Sequence, residues 1–484
     1  MIASLQYRPG APALVAIGLL LASLAAGCQS YERRPLDLSA HRAAFLARTP
    51  DSPEVAEFAR SLASDDFREA PTFDPGDGVS LPEAEAIALI FNADLRMARL
   101  RAGVTQAGAA NAGLWEDPTI GVDLTRIIQH NAHPWKLASA IGFTIPISGR
   151  LEIEKARAGV EHAADLARAA ENEWLVRMDL RRAWADWSAL TAQVETTRAF
   201  LERVEQILKV VDLMERAGEL ARTEARLFRV EHASKALELT MLEAQVAEET
   251  LRIKRLLGLS PTAAVMLVSS GIAIDESELS EADSLESLQL RLMQSSPLLF
   301  VASTEYELAE RTLELEIRKQ YPDLQIGPGY GFDDGQDELL LGLSLPIPIF
   351  NGNRRAIAEA RAARELARAG AETALEQLIA ELADAQLRLR TARTQSAVLA
   401  DTIVPMVDAQ YADAREVARL GEVNTLVLLE SLKRQQEAKI GLIIARRDEA
   451  IAAIRVTEIV GPANPEPVTE PAEPQANAHA GASQ

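Results

Sequence analysis

Residues 345–354 read Leu-Pro-Ile-Pro-Ile-Phe-Asn-Gly-Asn-Arg, and residues 144–150 read Thr-Ile-Pro-Ile-Ser-Gly-Arg. Each stretch ends a strand-like run at a glycine, and a long segment without proline follows it. The chain contains three glycine pairs whose members lie 203 residues apart: Gly149 and Gly352, Gly218 and Gly421, and Gly258 and Gly461. A repeat of this length is a duplicated domain-sized unit, since solenoid repeats span only roughly 20 to 50 residues. We therefore expect two halves of similar fold, with a function built from both.

The composition indicates long helices. Aromatic residues make up only 5% of the 484 residues, and alanine, leucine, glutamate and arginine dominate long stretches, as is typical of helical and coiled-coil proteins. The formal net charge is −21, and no basic stripe offsets it. Such a chain is a poor candidate for nucleic-acid binding, which depends on neutralising phosphates with lysine and arginine.

The N-terminus has the pattern of an exported lipoprotein. An apolar run over residues 13–26 precedes Gly27-Cys28, which predicts a secretory signal peptide at residues 1–27. Small residues directly before Cys28 resemble the bacterial lipobox, in which that cysteine is lipidated. Cys28 is the single cysteine, so the chain cannot form an internal disulfide. Gln29 resembles the outer-membrane sorting class, and we expect a lipid-anchored protein of the outer membrane with a periplasmic extension.

The rest of the chain divides into a lead-in, two repeats and a tail. No other stretch is apolar for about 18 residues, so the mature protein is predicted to lack a spanning helix. Each repeat carries two alternating strand-like segments, at about 119–145 and 323–347. The predicted boundaries are 28–80 for the lipidated lead-in, 81–260 for the first repeat, 261–285 for the linker, 286–461 for the second repeat and 462–484 for a disordered tail.

Long helical hairpins should fill each repeat. We expect one helix from Leu81 to about Leu114, and another from about Arg150 to Arg216 that would be about 100 Å long. Return helices should follow Gly218 and Gly421. The second repeat also shows spacings of three and four residues, typical of a coiled-coil seam, before Pro405 kinks the helix or marks a junction. The members of this seam are Leu382, Ala385, Leu389, Ala392, Leu399, Ile403 and Met406, with Ser396 interrupting it.

Four short strands cannot close a barrel, and a lone hairpin is not stable. The strands should therefore find partners in other copies of the chain. A closed barrel shared between copies would pair every backbone group, as a membrane requires, and the helices would project from it.

These features together resemble the TolC-type outer-membrane efflux protein family over residues 80 to 461. The resemblance rests on the junctions ending at Arg150 and Arg354, on Arg216-Ala-Gly218 and Arg419-Leu-Gly421, and on the closing Leu257-Gly258. The Pro-Ile-Pro-Ile-Phe-Asn version leans toward the heavy-metal, CzcC-like branch. The resemblance implies a mainly helical homotrimer, in which four strands per chain form a twelve-stranded transmembrane β-barrel continued by an α-helical tunnel. It also implies a periplasmic adaptor and an inner-membrane pump as partners, with no cofactor.

The same resemblance implies site residues at the far ends of the helical hairpins. Arg216, Gly218, Arg419 and Gly421 would form the tip that meets the adaptor. Family members carry acidic residues six and nine positions after the second tip glycine, where this chain has Val427 and Glu430. Glu430 is therefore the candidate for the pore constriction. Glu224, six positions after the first tip glycine, would help to tie the closed tip, with Arg216 and Arg419 as candidate partners.

Two other classes of protein are weighed against the channel. A periplasmic coiled-coil lipoprotein or adaptor without a pore would carry one helical hairpin rather than two. An enzyme would need catalytic residues or a metal site, and the sequence offers neither a nucleophile elbow nor a phosphate loop. His130 and His133 are three residues apart but have no further ligands nearby, so we interpret them as part of a polar loop. Metal, drug and exported protein remain open as cargo.

Overall fold

The computed structural model describes residues 31–58, 73–126, 128, 135–269, 284–333, 336–419 and 425–462. The chain forms two compact units, residues 1–47 and 48–484. In the first unit, helix α1 (Leu38–Leu46) begins after Asp37. The carboxylate of Asp37 accepts hydrogen bonds from the backbone N–H groups of Ser39 and Ala40, both at 2.9 Å, which satisfies donors that a helix start leaves unpaired.

The second unit repeats one order of elements, namely two helices, a β-hairpin and a long helical hairpin. The first copy comprises α2 (Leu81–Phe91), α3 (Ala93–Ala110), β1 (Thr119–Arg126), β2 (Trp135–Ile145), α4 (Arg150–Ala217) and α5 (Arg222–Leu256). The second copy comprises α6 (Leu285–Ser295), α7 (Pro297–Arg318), β3 (Leu324–Asp333), β4 (Gln336–Ser344), α8 (Arg354–Val398), a π-helix (Leu399–Ile403), α9 (Val404–Arg419) and α10 (Thr425–Val460). The observed order matches the predicted duplication.

The expected single helix from Leu81 to Leu114 is wrong, because the chain breaks at Asn92. The side chain of Asn92 accepts hydrogen bonds from the backbone N–H groups of Asp94 (2.9 Å) and Leu95 (3.1 Å) and so starts a second helix, α3. Its Nδ2 donates to the carbonyl oxygen of Leu256 at 2.9 Å, which fixes the break against the end of α5. The sequence signal was only a lone asparagine within a helical pattern.

Each repeat closes on its own helix break. At Gly258 the backbone passes so close to the break between α2 and α3 that an added Cβ would lie 2.0 Å from the carbonyl oxygen of Phe91. The equivalent Gly461 stands in the same relation to Ser295 in the second repeat, also at 2.0 Å. A hydrophobic cluster surrounds each junction, one containing Ile87, Leu95, Leu180, Trp184 and Ile253 and the other containing Leu292, Leu382, Val456 and Ile459. The two repeats are thus packed in the same way.

The four strands form one antiparallel sheet in the order β1-β2-β3-β4. The two predicted hairpins are confirmed, and β2 and β3 join them, with Phe143 opposite Ile326. Strand β4 ends at Ser344 rather than Ile347, because Pro346 and Pro348 cannot donate to a strand ladder. Strands β1 and β4 form the two edges, and neither has a further strand partner among the described residues.

The coiled-coil seam of the second repeat is confirmed only as far as Ser396. Residues Leu382 to Ser396 of the seam are buried, including Ser396 itself. Ile403 and Met406, in contrast, are 39% and 66% exposed, which contradicts the prediction beyond this point. The π-helix just before Pro405 is the reason, since one extra residue in a turn rotates everything after it by about 100°. The predicted junction at Pro405 is therefore present, but it also changes which face of the helix is buried.

Candidate functional site

One face of the sheet is apolar and exposed. The strand registers place every second residue of all four strands on this face. On β1 these residues are Ile120, Val122 and Leu124, each 64–65% exposed. The other apolar members of this face are Trp135, Leu137, Ile141, Phe143, Ile145, Leu324, Ile326, Pro328, Tyr330, Phe332, Leu339, Leu341 and Leu343. An apolar surface of this extent on a folded chain indicates contact with a partner or with lipid.

The opposite face of the same sheet consists mostly of small and polar residues. Its members are Thr119, Gly121, Asp123, Thr125, Lys136, Ala138, Ala140, Gly142, Thr144, Gln325, Gly327, Gly329, Gly331, Asp333, Gln336, Glu338, Leu340, Gly342 and Ser344. Lys136 and Asp333 form an ion pair on this face and so join β2 to β3. Strands that alternate apolar residues on one face with polar residues on the other match the walls of membrane-spanning barrels, in which the apolar face meets lipid.

A polar cluster holds the first strand-to-helix junction. At the start of α4, the Nε of Arg150 donates to Asp323 at 2.7 Å, and its Nη2 donates to Glu116 at 2.7 Å. Burial favours a lower pKa for Arg150, but these two carboxylates outweigh it and raise the pKa. The hydroxyl of Ser148 also donates to Asp323 at 3.1 Å. Residues of both repeats thereby set the angle between sheet and helix.

The second junction uses an asparagine. Asn353 precedes α8 with a φ of 55°. Its Nδ2 donates to the backbone oxygen of Glu316 at 2.8 Å and to the Glu316 carboxylate at 2.7 Å. Burial would raise the pKa of Glu316, but hydrogen bonds from Lys319 and Asn353 lower it overall. The first strand-to-helix junction is thus held by Arg150 and the second by Asn353. The equal spacing of the glycines in the two repeats does not show this difference.

The far end of the first helical hairpin turns at Gly218, as predicted. Gly218 has a φ of 77°, in the left-handed region that favours glycine. Its N–H donates to the carbonyl oxygen of Glu215 at 3.1 Å, and the N–H of Glu219 donates to that of Met214 at 2.9 Å. This pair of bonds is the Schellman motif, which satisfies the last carbonyl groups of a helix. An added Cβ at Gly218 would meet nothing within 4 Å, so the space beside this turn is open.

An arginine that the sequence reading missed closes the hairpin below this turn. The Nη2 of Arg229, on α5, donates to Asp212 at 2.7 Å and to Glu215 at 2.5 Å, both on α4. These hydrogen bonds raise the pKa of Arg229. Among the described side chains, the predicted Arg216 forms no ion pair with Glu224; instead it is exposed beside a polar cleft that Arg229 also lines. Two acids of this tip, Asp212 and Glu215, are thus paired by Arg229.

Glu430 lies on the uncovered face of α10. Its neighbour Leu429 is buried in a cluster with Val211, Ala225 and Phe228 of the first hairpin. Glu430 is exposed, and Arg434 donates to it at 2.9 Å from one turn further along the helix. The candidate carboxylate is therefore accompanied by a cation that the sequence reading did not consider. Glu224, half-buried in the first turn of α5, lies elsewhere on the tip.

Several predicted residues lie outside the described part of the chain. These are Cys28, His130, His133 and Gly421, together with the side chain of Arg419, whose backbone ends α9. Among the described residues, no group of three histidine, cysteine, aspartate or glutamate side chains could hold a metal ion. Nor does any described helix carry an apolar stretch sufficient for a transmembrane span.

Comparison with solved structures identifies this architecture. The chain superposes on CusC, described as forming a transmembrane channel, with a TM-score of 0.66 at 15% identity, over 79% of this chain and 92% of CusC. It superposes on the outer-membrane channel OprN with a TM-score of 0.65 at 16% identity, over 90% and 98% of the two chains. The fold is that of the outer-membrane efflux channels. The outer membrane protein VceC of Vibrio cholerae gives a TM-score of 0.63 at 16% identity, over 79% and 96%.

The sequence comparison covers less of the chain. No family model matches. The cobalt-zinc-cadmium resistance protein CzcC of Cupriavidus metallidurans is 24% identical over 171 residues, which is 35% of this chain and 41% of CzcC. The match thus spans less than half of this curated relative. The predicted fold class, long helices with a small four-stranded part, is confirmed by the outer-membrane channel structures.

Proposed function

We propose that this chain is the outer-membrane channel of a tripartite efflux system. Three copies would contribute four strands each to a twelve-stranded barrel, and their helical hairpins would continue the duct across the periplasm. The signal peptide at residues 1–27 and a lipid on Cys28 belong to the same proposal, as does an outer-membrane location with a periplasmic extension. The chain would then act as a conduit for cargo, without a cofactor.

The observation that carries the proposal is the division of the sheet into an apolar face and a small, polar face. Burying Ile120, Val122 and Leu124 in lipid removes their exposed surface from water, whereas the polar face needs a water-filled lumen. Within the described ranges, the outer edges of β1 and β4 have no strand partner, and lipid would leave their backbone groups without hydrogen bonds. Pairing β4 of one copy with β1 of the next satisfies both edges.

Neighbouring residues on opposite faces provide a direct test. Val122→Arg places a charge on the apolar face, at a cost of about 2–4 kcal/mol per chain near the bilayer centre. Asp123→Arg places the same charge on the polar face and is the matched control. We expect Val122→Arg to prevent assembly of heat-resistant oligomers in lipid vesicles and to abolish conductance across planar bilayers, while Asp123→Arg assembles and conducts.

Two results would contradict the proposal. If Val122→Arg and Asp123→Arg both assemble into oligomers and both conduct, the apolar face does not meet lipid. A wild-type protein that remains monomeric and conducts no current would instead favour the alternative, a coiled-coil structural or adaptor lipoprotein without a pore.

We further propose that the hairpin tips meet a periplasmic adaptor, which couples the channel to an inner-membrane pump. Arg216, Gly218, Arg419 and Gly421 are the candidate contacts. The open space around Gly218 and the exposure of Arg216 support this role. Replacing Gly218 with tryptophan should abolish crosslinking to the adaptor while the oligomer persists. Unchanged crosslinking would remove Gly218 from the contact.

For the constriction we propose Glu430, with Glu224 as a residue that ties the closed tip. Three copies of Glu430 around one axis would bring like charges close together in a narrow pore and favour cations. Divalent metal cations are the cargo class that the partial match to CzcC favours. Bilayer recordings with and without zinc would test whether divalent cations enter the pore. A conductance that zinc does not change would contradict divalent cations as the cargo.

A further inference from the structure

Arg126 is a charged residue on the apolar face of the sheet. It ends β1 directly opposite Trp135 of β2, and directly paired residues of antiparallel strands point to the same side of a sheet. Leu124 lies two residues earlier on the same face. Among the described strand residues, Asp337 near the start of β4 is the other charged residue on this face. Both charges therefore lie at the end of the sheet that meets the hairpin loops.

Trp135 lies at one border of an apolar band that matches the thickness of a membrane. From Trp135 to Ile145, strand β2 extends for about 34 Å at about 3.4 Å per residue. Barrel strands tilt by about 35–45°, so this distance corresponds to about 26 Å along the barrel axis, against about 25 Å for the apolar band of membrane barrels. Trp115 and Tyr321 precede β1 and β3 at the opposite end of the sheet, where they are 64% and 58% exposed, as aromatic residues at the second border would be. Arg126 is thus level with the lipid headgroups rather than with the hydrocarbon.

The guanidinium of Arg126 is positioned by an aromatic ring rather than by an acid. Its Cζ lies 5.4 Å from the centroid of the Trp135 ring, which is a cation–π contact. Within the described ranges no carboxylate forms an ion pair with Arg126, whose side chain is exposed. Lys136, the residue after Trp135, differs in both respects, because it lies on the polar face and pairs with Asp333. Arg126 therefore has hydrogen-bond donors available for an anion outside the chain.

Phosphate is the anion that this environment offers. A guanidinium presents its N–H donors in a planar fork that binds two phosphate oxygens at once, whereas an ammonium acts as a point charge. Stacking on a ring covers the flat face of the guanidinium and leaves the donors at its edge. At the headgroup level of a bilayer, the anions beside a lipid-facing side chain are lipid phosphates. With the helical hairpins in the periplasm, the loops between the strands reach the outer leaflet, which in an outer membrane contains lipopolysaccharide.

We propose that Arg126, stacked on Trp135, binds a phosphate group of lipopolysaccharide in the outer leaflet. The acyl chains of the same lipid would cover Leu124 and Leu137, which form the next pair on this face toward the membrane interior. The site rests on the proposed outer-membrane channel, because that function determines which end of the sheet faces outward. It adds a lipid of defined chemistry to the partners of the chain, with one site in each copy.

Titration of the full-length oligomer in detergent with fluorescently labelled lipopolysaccharide tests the site. We expect Arg126→Gln to weaken binding about tenfold or more, and Arg126→Lys to weaken it less, because the charge remains without the fork. Lys136→Gln is the matched control, since it removes a cation from the same end of the sheet but from the opposite face, and it should change the affinity less than about twofold. Lipopolysaccharide stripped of its phosphates should bind wild type as weakly as the intact lipid binds Arg126→Gln, a comparison that needs no variant to fold. Phosphatidylglycerol should bind wild type and Arg126→Gln equally.

Four outcomes would overturn the site. These are an unchanged affinity in Arg126→Gln, an equal loss of affinity in Lys136→Gln, equal binding of intact and phosphate-free lipopolysaccharide by wild type, and a matching loss of phosphatidylglycerol binding in Arg126→Gln, which would make the ligand any anionic lipid. Lipopolysaccharide binding in the expected pattern by an oligomer that conducts no current would instead reject the proposed function and leave the site intact.

Discussion

Replacing Gly258 with alanine should be among the most damaging single changes to the helical region. Gly258 has a φ of 67°, which disfavours any residue with a Cβ. It also lies directly against the break between α2 and α3, where Arg48 donates to the Gly258 carbonyl oxygen at 2.8 Å. An alanine methyl group would therefore have to displace the backbone at Phe91 as well as adopt an unfavourable conformation.

The two costs can be separated with Gly218. Its φ of 77° resembles that of Gly258, but an added Cβ there would meet nothing within 4 Å. Gly218→Ala should therefore cost only the left-handed backbone penalty, about 1–2 kcal/mol. Gly258→Ala carries the same penalty and adds a contact at 2.0 Å with a backbone oxygen. Overpacking of this kind adds about 1–3 kcal/mol, so we expect a total of about 2–5 kcal/mol.

Urea unfolding of the full-length oligomer in detergent, followed by helical circular dichroism at one fixed protein concentration, measures this difference. The midpoint should fall clearly further for Gly258→Ala than for Gly218→Ala. If the two variants unfold at the same midpoint, the close approach to Phe91 does not stabilise the junction and the reasoning fails.

Three further predictions concern charge and anchoring. Glu430→Gln should weaken the cation preference of the conducting channel and its block by trivalent metal ions, whereas Arg434→Gln should strengthen both; unchanged selectivity in bilayer recordings of both variants would remove Glu430 from the pore. Burial raises the pKa of Asp186 despite Arg447 and Arg252, so its folded form binds a proton at higher pH than the unfolded chain does. Stability from this group is gained as pH falls through the raised pKa and lost as pH rises through it, so wild type should gain more stability than Asp186→Asn on going from about pH 7 to pH 4 in parallel urea titrations. Cys28→Ala should lose incorporation of labelled palmitate and still assemble in the membrane; an unlabelled wild type would disprove the lipid anchor.

The duplicated glycines made much of this fold predictable. Gly149, Gly218 and Gly258 each end or begin a long helix, as expected, because the positive φ at these sites limits the choice of residue and so leaves a mark in the sequence. The strands were also readable, since alternation of apolar and polar residues survives in each strand. The predicted helix boundaries were less accurate where a single side chain ends one helix and starts the next, as Asn92 does between α2 and α3.

The candidate site was less predictable, although its ion pairs join residues that are near in sequence: Arg434 and Glu430 lie one turn apart on α10, and Arg229 reaches back to Asp212 and Glu215 across the turn at Gly218. Arg229 and Arg434 were missed, although Arg229 pairs with Asp212 and Glu215 at the tip and Arg434 pairs with Glu430, the candidate constriction residue. The spacing of four residues between Glu430 and Arg434 is a readable local signal, but the same spacing recurs in many exposed pairs of this chain, such as Arg355 with Glu359 and Arg368 with Glu372. The partners of Arg229 depend on how α5 lies against α4.

The duplication, the long helices and the four alternating strands could be predicted from the amino-acid pattern, because they depend on local backbone preferences and on periodicity. Which elements pack against one another could not be predicted in this way, because that depends on contacts between residues that are distant in sequence. The tertiary structure joined β2 to β3, which collects the apolar side chains of four strands on one face. It also inserted a π-helix after Ser396 in the seam of the second repeat, and so placed Met406 on the surface instead of in the predicted interior. A heptad repeat predicts that one face of a helix is packed against another helix. The direction in which that face points also depends on whether a π-helix earlier in the same helix has rotated it.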